Sequence, residues 1–204
     1  MDLGTGTGVA PRAMAHLGAE ITAVDHSENQ IQQAIALSEG RDNIRYLVCP
    51  AERTGLPDHV FDAVTALMCF WYFDPQVIVP EIRRLLRPGG IFVKIYMSWL
   101  QEDPIAKKSK ALIKRLNPKW TAASPAIEDL KKHYFDDPIL EKFDAALPFT
   151  RESWHGRILS NRGVLASMDG KALAEFEEKH RKFLQNCPEK FTVTHRVFIT
   201  GYRM

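Results

Sequence analysis

The sequence predicts an α/β fold in which a doubly wound, mostly parallel sheet carries helices on both faces. Three observations predict it. Gly4, Gly6 and Gly8 form a glycine-rich turn between a short apolar start and a helical stretch. The next apolar run ends in an acid, Asp25, 17 residues beyond Gly8. Arg87-Pro88-Gly89-Gly90 then separates an amphipathic helix from another apolar run. Strands and helices therefore alternate, the pattern of parallel strands joined by crossover helices.

Each element follows in order. Met1 to Leu3 supplies only three residues for a first strand, where a central strand normally has about five, so the natural chain is expected to extend upstream. The glycine turn comes next, and residues without a Cβ let backbone approach a small ligand closely. Val9 to Leu17 reads as a helix with Ala10, Ala13, Met14 and Leu17 on one face. Glu20 to Asp25 reads as a buried second strand. In doubly wound sheets an acid at this strand's end commonly holds a ribose hydroxyl pair, because a carboxylate accepts two hydrogen bonds at once. A helix N-cap is the alternative role for Asp25, with Ser27 competing for it.

Phe61 to Leu67 is the fourth strand of the order. Asp74-Pro75 opens a helix with proline in its first turn, carrying Val77, Ile78, Ile82, Leu85 and Leu86 inward and Arg83, Arg84 and Arg87 outward. Arg87 to Gly90 ends it, and Ile91 to Tyr96 is the fifth strand. Ile105 to Leu116 is a basic amphipathic helix with Lys107, Lys108, Lys110, Lys114 and Arg115, read as a solvated face. A second helix runs from Pro125 or Ala126 to about His133 or Tyr134. Phe143 to Phe149 is the sixth strand, and Lys171 to Leu184 is a charged helix burying Leu173, Phe176 and Phe183. Phe191 to Tyr202 alternates and is rich in β-branched residues, the mark of a long final strand.

The glycine spacing separates two ligand classes. Dinucleotide-binding turns read G-x-G-x-x-G, whereas here the third glycine follows the second by two residues. Asp2-Leu3-Gly4-Thr5-Gly6-Thr7-Gly8 resembles the first motif of the class I S-adenosylmethionine-dependent methyltransferases, an acid, one residue, then G-x-G-x-G. The likeness is to the type 11 group of small-molecule methyltransferases, such as the trans-aconitate and ubiquinone/menaquinone enzymes. It implies a Rossmann-like fold whose final strand is antiparallel and inserts beside the fifth. It further implies that Gly4, Thr5, Gly6 and Gly8 wrap the methionine half of S-adenosyl-L-methionine and that Asp2 helps to hold its ammonium group. Asp25, with His26 beside it, would take the ribose.

Tyr46 to Asp58 is similar to the family's third strand and adenine-binding segment, where Ala51-Glu52 precedes Leu56-Pro57. The family often has an acid before that alanine. This chain has Pro50, so the adenine contact falls to backbone at Ala51, with Glu52 at its side. After the fourth strand the trans-aconitate type reads roughly His-Trp-Phe-Asp. Phe73 and Asp74 match, but Trp71 and Tyr72 replace the His and Trp, which removes a family base. Ligands of such sheets lie beyond the carboxyl ends of the strands, so Met68 and Cys69 are expected at the cofactor and Trp71 and Tyr72 at the substrate. In relatives the region matching Pro104 to Phe135 lids the substrate pocket.

One cluster lies outside this half: Trp154-His155-Gly156-Arg157 and Asn161-Arg162-Gly163, at an expected loop-to-helix junction. Arg157 and Arg162 could clamp a substrate carboxylate bidentately, and His155 is the chain's best candidate for a general base.

Length and composition are those of one ordinary domain, residues 1–204, with a cofactor half (1–100), a helical insertion (101–142) and a C-terminal β-hairpin region with a helix (143–204). Three cysteines without close spacing favour neither a disulfide framework nor a metal site. A net charge of +2 disfavours a nucleic-acid partner, and neither a membrane-length apolar run nor a signal peptide is present. The expectation is a cytoplasmic enzyme that moves a methyl group to O, N or C of a small molecule and releases S-adenosyl-L-homocysteine, with a homodimer one admissible assembly. Two alternatives stay open: a non-catalytic cofactor-binding or assembly module, and an NAD(P)-dependent oxidoreductase, which the glycine spacing and the lack of a Tyr-x-x-x-Lys pair disfavour.

Overall fold

A computed structural model describes residues 1–120, 125–161 and 163–204. Among them the strands β1 (Asp2–Leu3), β2 (Ile21–Asp25), β3 (Ile44–Val48), β4 (Phe61–Leu67), β5 (Leu86–Trp99), β6 (Ile139–Thr150) and β7 (Lys190–Arg203) form one sheet in the order β3-β2-β1-β4-β5-β7-β6. β3 through β5 are parallel neighbours. The β5–β7 edge is antiparallel: Gly89 N donates to Met204 O and Leu100 N to Thr194 O, so one strand's numbers rise as the other's fall. The Rossmann-like sheet expected from the resemblance is the one observed.

The helices are α1 (Val9–Met14), α2 (Glu28–Leu37), α3 (Pro75–Leu85), α4 (Pro104–Leu116), α5 (Pro125–Leu130), α6 (Arg151–Leu159) and α7 (Gly170–Gln185). Four begin on side-chain caps that the sequence supplies, α6 on Thr150, which accepts from Ser153 N in a capping box. Asp74 accepts from Gln76 N, Asp103 from Ile105 N and Ala106 N, and Asp169 from Ala172 N.

The chain divides into two compact units. The first comprises Met1–Tyr96, Ser124–Lys142 and Phe198–Met204, and the second Met97–Ala123 and Phe143–Val197. The expected 101–142 insertion is thus shared between them. The first unit's core gathers Leu3, Val24, Val64, Ile78, Ile82, Leu85 and Phe92. The second's gathers Ile113, Trp154, Ile158, Phe176, Leu184 and Val193.

Three local expectations change. The segment after α1 tightens into a 3-10 turn over Ala15–Leu17, which turns its side chains by a larger step per residue. Pro11 is then the buried residue, while Ala13 is exposed and Leu17 is 69% exposed. α3 buries Ile78, Glu81, Ile82 and Leu85, spaced as one helical stripe. Val77 falls off the edge of that stripe and stays exposed. Arg87 to Gly90 does not precede the fifth strand but bulges within it. Phe61 pairs with Leu86 and Ala63 with Ile91, so two steps on β4 span five on β5.

Candidate cofactor site

The site is built at the carboxyl ends of β1, β2 and β4. β1 is two residues long and lies between β2 and β4, in register with both. It delivers the chain into the turn at Gly4. Gly4, Gly6 and Gly8 all have left-handed backbone, at φ +60°, +55° and +75°, which costs any other residue about 1–2 kcal/mol. Thr5 N donates to Val24 O at 2.9 Å and Gly8 N to Thr5 O at 3.0 Å, so the loop folds back on the neighbouring strand.

The three glycines differ in what surrounds them. A Cβ at Gly4 would meet Cys69 Sγ at 3.0 Å and Phe73 Cζ at 3.1 Å. A Cβ at Gly8 would overlap the Tyr46 hydroxyl. A Cβ at Gly6 would have only Gln30 Oε1 within 4 Å, at 3.8 Å, so it would project into open space.

That open space is a cavity of about 690 Å³ lined by Gly4, Gly6, Asp25, His26, Ser27, Gln30, Pro50, Ala51, Glu52, Cys69, Tyr72 and Phe73. It is a volume typical of small-molecule sites. Asp25 sits at the end of β2 and is 8% exposed. Its Oδ2 accepts from Gly6 N at 2.8 Å and its Oδ1 from Ser27 N at 2.9 Å. The capping role weighed for this acid is met, and its carboxylate also borders the cavity. Ser27 occupies the N-cap position of α2 but makes no side-chain cap bond, and the carboxylate of Asp25 takes its N–H instead. A carboxylate oxygen can accept more than one hydrogen bond, so these two leave Asp25 with acceptor capacity.

The opposite wall is braced from below. Cys49 N donates to Asp25 O at 3.0 Å, which fixes the start of the Pro50–Glu52 segment. Glu81 Oε1 accepts from Thr54 N at 2.9 Å and Thr54 Oγ1 at 2.7 Å, and Arg84 closes on the same carboxylate. Although burial opposes its ionisation, hydrogen bonds from Arg84 and Thr54 hold the Glu81 carboxyl down to about 2. Cys69 Sγ donates to Leu3 O at 3.1 Å. Burial, reinforced by the charges of Asp2 and Asp25, pushes its thiol pKa far up, so it is held as a neutral thiol and not as a nucleophile.

Of the residues expected at the cofactor, Gly4, Gly6, Asp25, His26, Ala51, Glu52 and Cys69 line this cavity. Asp2, Thr5, Gly8 and Met68 do not. Asp2 is 1% exposed beneath the loop, with Oδ1 accepting from Thr65 Oγ1 at 2.6 Å, and burial raises its pKa. Thr5 is buried and Gly8 packs toward Tyr46. Met68 is left-handed at φ +59° and its N–H reaches Ile95 O, which turns the chain so that Cys69 faces inward.

The expected substrate and catalytic residues are largely placed elsewhere. Tyr72 lines the cavity, whereas Trp71 packs edge-on against Tyr96 at 5.7 Å between ring centroids. Trp154 to Arg157 lie within α6 and not at a loop-to-helix junction. His155 is 1% exposed in the second unit's core, its Nδ1 2.8 Å from Nδ1 of His180. A residue sealed in this way cannot take a substrate proton, so the general-base expectation does not hold. Arg157 lies over the Trp99 ring at 5.5 Å and is not part of the cavity wall. Arg162 lies outside the described residues. Among the described residues no group of three His, Cys, Asp or Glu side chains could hold a metal ion, and no helix is long and apolar enough to cross a membrane.

Four lining residues carried no expectation of contact, Pro50, Phe73, Ser27 and Gln30, the last two at the start of α2. The spacing of three places Ser27 and Gln30 in the first turn of α2, on the side facing Gly6.

Comparison with known proteins agrees with this geometry. Residues 1–94 match the family described as "Methyltransferase domain". The ubiquinone biosynthesis O-methyltransferase of Xanthomonas oryzae pv. oryzae (strain PXO99A) is 34% identical over 113 residues, covering 52% of this chain and 44% of that protein. The chain thus spans less than half the length of that curated relative. Among solved structures, a protein of Anaeromyxobacter dehalogenans described as a type II methyltransferase superposes with a TM-score of 0.69 at 24% identity, over 99% of this chain and 88% of that one. Phosphoethanolamine N-methyltransferase 2 of Haemonchus contortus, solved with S-adenosylhomocysteine, does so with a TM-score of 0.53 at 21% identity, over 98% of this chain and 47% of that one.

Proposed function

We propose, from the match of residues 1–94 to a methyltransferase domain, that this protein is a class I methyltransferase and transfers a methyl group from S-adenosyl-L-methionine to O, N or C of a small-molecule acceptor. The observation that carries the proposal is the Asp25 carboxylate on the cavity wall, anchored to Gly6 N and Ser27 N with acceptor capacity to spare for a ribose hydroxyl pair.

The residues present fit that cofactor. Gly6 leaves the space that its own Cβ would fill, beside Gln30. Asp25 and Glu52 line the cavity and, among the described residues, no lysine or arginine does, which suits a cationic ligand better than a pyrophosphate. In this reading Pro50, Ala51 and Glu52 flank the adenine, Asp25 and His26 the ribose, and Gly4, Gly6, Cys69 and Phe73 the methionine half. Asp2 acts from behind the loop, through Thr65 and the turn that it supports.

When bound, the cofactor supplies a methyl group already activated on a sulfonium. The chain's own part is to orient and to exclude water. Phe73 and Tyr72 give an apolar wall, and Cys69, held as a thiol, offers no competing nucleophile. Positioning of this kind contributes up to roughly 7–11 kcal/mol in ideal cases. The His26 side chain is 85% exposed beside the Asp25 carboxylate, on the ribose side of the cavity. The cytoplasm and a dimeric assembly remain part of the proposal.

Calorimetric titration with S-adenosyl-L-methionine and S-adenosyl-L-homocysteine, with NADH as control, tests this reading. Saturable binding of either sulfur compound and none of NADH is expected. Binding of NADH alone would overturn it.

A further inference from the structure

The basic face of α4 is not absorbed by the proposed function. Lys108, Ala111, Leu112 and Arg115 recur at helical spacing on one side of it. In the second unit that side meets Lys179, Lys182 and Phe183 of α7, and the seven residues line a groove of about 510 Å³. It shares no lining residue with the cofactor cavity.

A solvated face needs no opposite wall, and two cationic helix faces repel when brought together. Here four cations converge on one groove in a chain whose net charge is only +2. Glu175 pairs with Lys179, leaving a surplus of three positive charges. Arg115 and Lys171 also lie close enough to act on the Glu175 carboxylate. The floor is apolar: Ala111, Leu112 and the Phe183 ring, with the Lys108 ammonium 5.6 Å above its centroid. The cores of both helices face elsewhere, through Ala106, Ser109 and Ile113 on α4 and Phe176, His180 and Leu184 on α7. Leu112 and Phe183 pack on the second unit's core from its margin, while Lys108, Ala111, Arg115, Lys179 and Lys182 are not among the residues that form it or pack on it.

We propose that the groove between α4 and α7 binds an organic phosphate monoester that carries an apolar body. The phosphate dianion matches the surplus charge better than a carboxylate, and lysine and arginine both serve as phosphate donors. The apolar body covers Leu112 and Phe183. The same chemistry occurs in a free organic phosphate and in a lipid headgroup, and the proposal commits to the free molecule.

The test is titration of the full chain with decyl phosphate below its micellar concentration. Inorganic phosphate, decanol and phosphatidylglycerol vesicles are the comparison ligands. One-to-one saturation by decyl phosphate is expected, at least about tenfold tighter than by inorganic phosphate or decanol. Lys108→Glu/Lys182→Glu, at two exposed positions, should weaken it about tenfold or more and leave S-adenosyl-L-homocysteine binding unchanged. Glu175→Gln should tighten it. Lys182→Gln alone, with a smaller loss, keeps the test informative if the double variant folds poorly. The proposal is overturned if binding ignores these substitutions, if inorganic phosphate binds as tightly, or if vesicles bind and decyl phosphate does not.

Discussion

Asp25 and Gly6 are joined by a 2.8 Å hydrogen bond from the Gly6 backbone N–H to Asp25 Oδ2. The bond ties the end of the second strand to the middle of the glycine loop. One carboxylate thus shapes the loop and faces the ligand space that the loop encloses.

Asp25→Ala therefore removes two functions at once. Gly6 N and Ser27 N lose their acceptor, and under the proposed function the ribose loses its partner. A loss of about 1–3 kcal/mol in S-adenosyl-L-homocysteine affinity is expected, roughly ten- to hundredfold. Calorimetry checks it. Unchanged affinity would remove Asp25 from the site.

Gly6→Ala and Gly4→Ala separate ligand space from packing. Both pay for left-handed backbone, about 1–2 kcal/mol. The new methyl at 6 enters the cavity, so cofactor affinity should fall by more than that strain predicts. The new methyl at 4 strikes Cys69 and Phe73, so thermal stability should fall further than for Gly6→Ala. Equal losses of stability and affinity in the two variants would contradict this division.

His180 supplies a pH dependence. It is fully buried, accepts no solvent, and lies between His155 Nδ1 and Ser109 Oγ. Burial, with the His155 and Arg181 charges, lowers its pKa to about 3. The folded state therefore binds fewer protons than the unfolded state between about pH 3 and the ordinary histidine value near 6.5. Stability is full above that value and is lost as pH falls, by up to about 1.4 kcal/mol per unit for this group. Urea unfolding from pH 7 to 4 should show the slope, and His180→Phe should flatten it. A parallel profile in the variant would refute the assignment.

Lys94 and Asp129 form a buried ion pair of 2.9 Å, with Tyr134 Oη on the other Asp129 oxygen at 2.6 Å. Lys94→Met leaves that carboxylate buried without its cation and should cost about 3–5 kcal/mol. Lys94→Met/Asp129→Leu should recover most of it. Denaturant midpoints of the three proteins measure both effects, and a double variant as unstable as the single would show that the charge is not the cause.

The cofactor half was legible because its signals are local. Left-handed glycines, an acid at a strand end and a proline-led helix state their conformations within a few residues. The second unit was not. Trp154, His155 and Arg157 are the residue types of a site, yet α6 buries Trp154, His155 and Ile158 on its inner side. What seals His155 is His180, 25 positions away on α7, and no local pattern announces that meeting. At Leu17 the helix after the glycine turn was misread for a smaller reason: a 3-10 step shifts the side chains after Met14.

By itself the sequence determined the alternation of strands and helices, the glycine loop and the acid at the end of the second strand, because those depend on local patterns and on backbone conformations that only a few residue types adopt. Tertiary structure decided which of the candidate side chains see the cavity. Asp2, Thr5, Gly8 and His155 are buried behind or away from it, while Ser27 and Gln30 are turned into it. Burial depends on partners distant in the chain, and residue type and spacing do not encode which partner arrives.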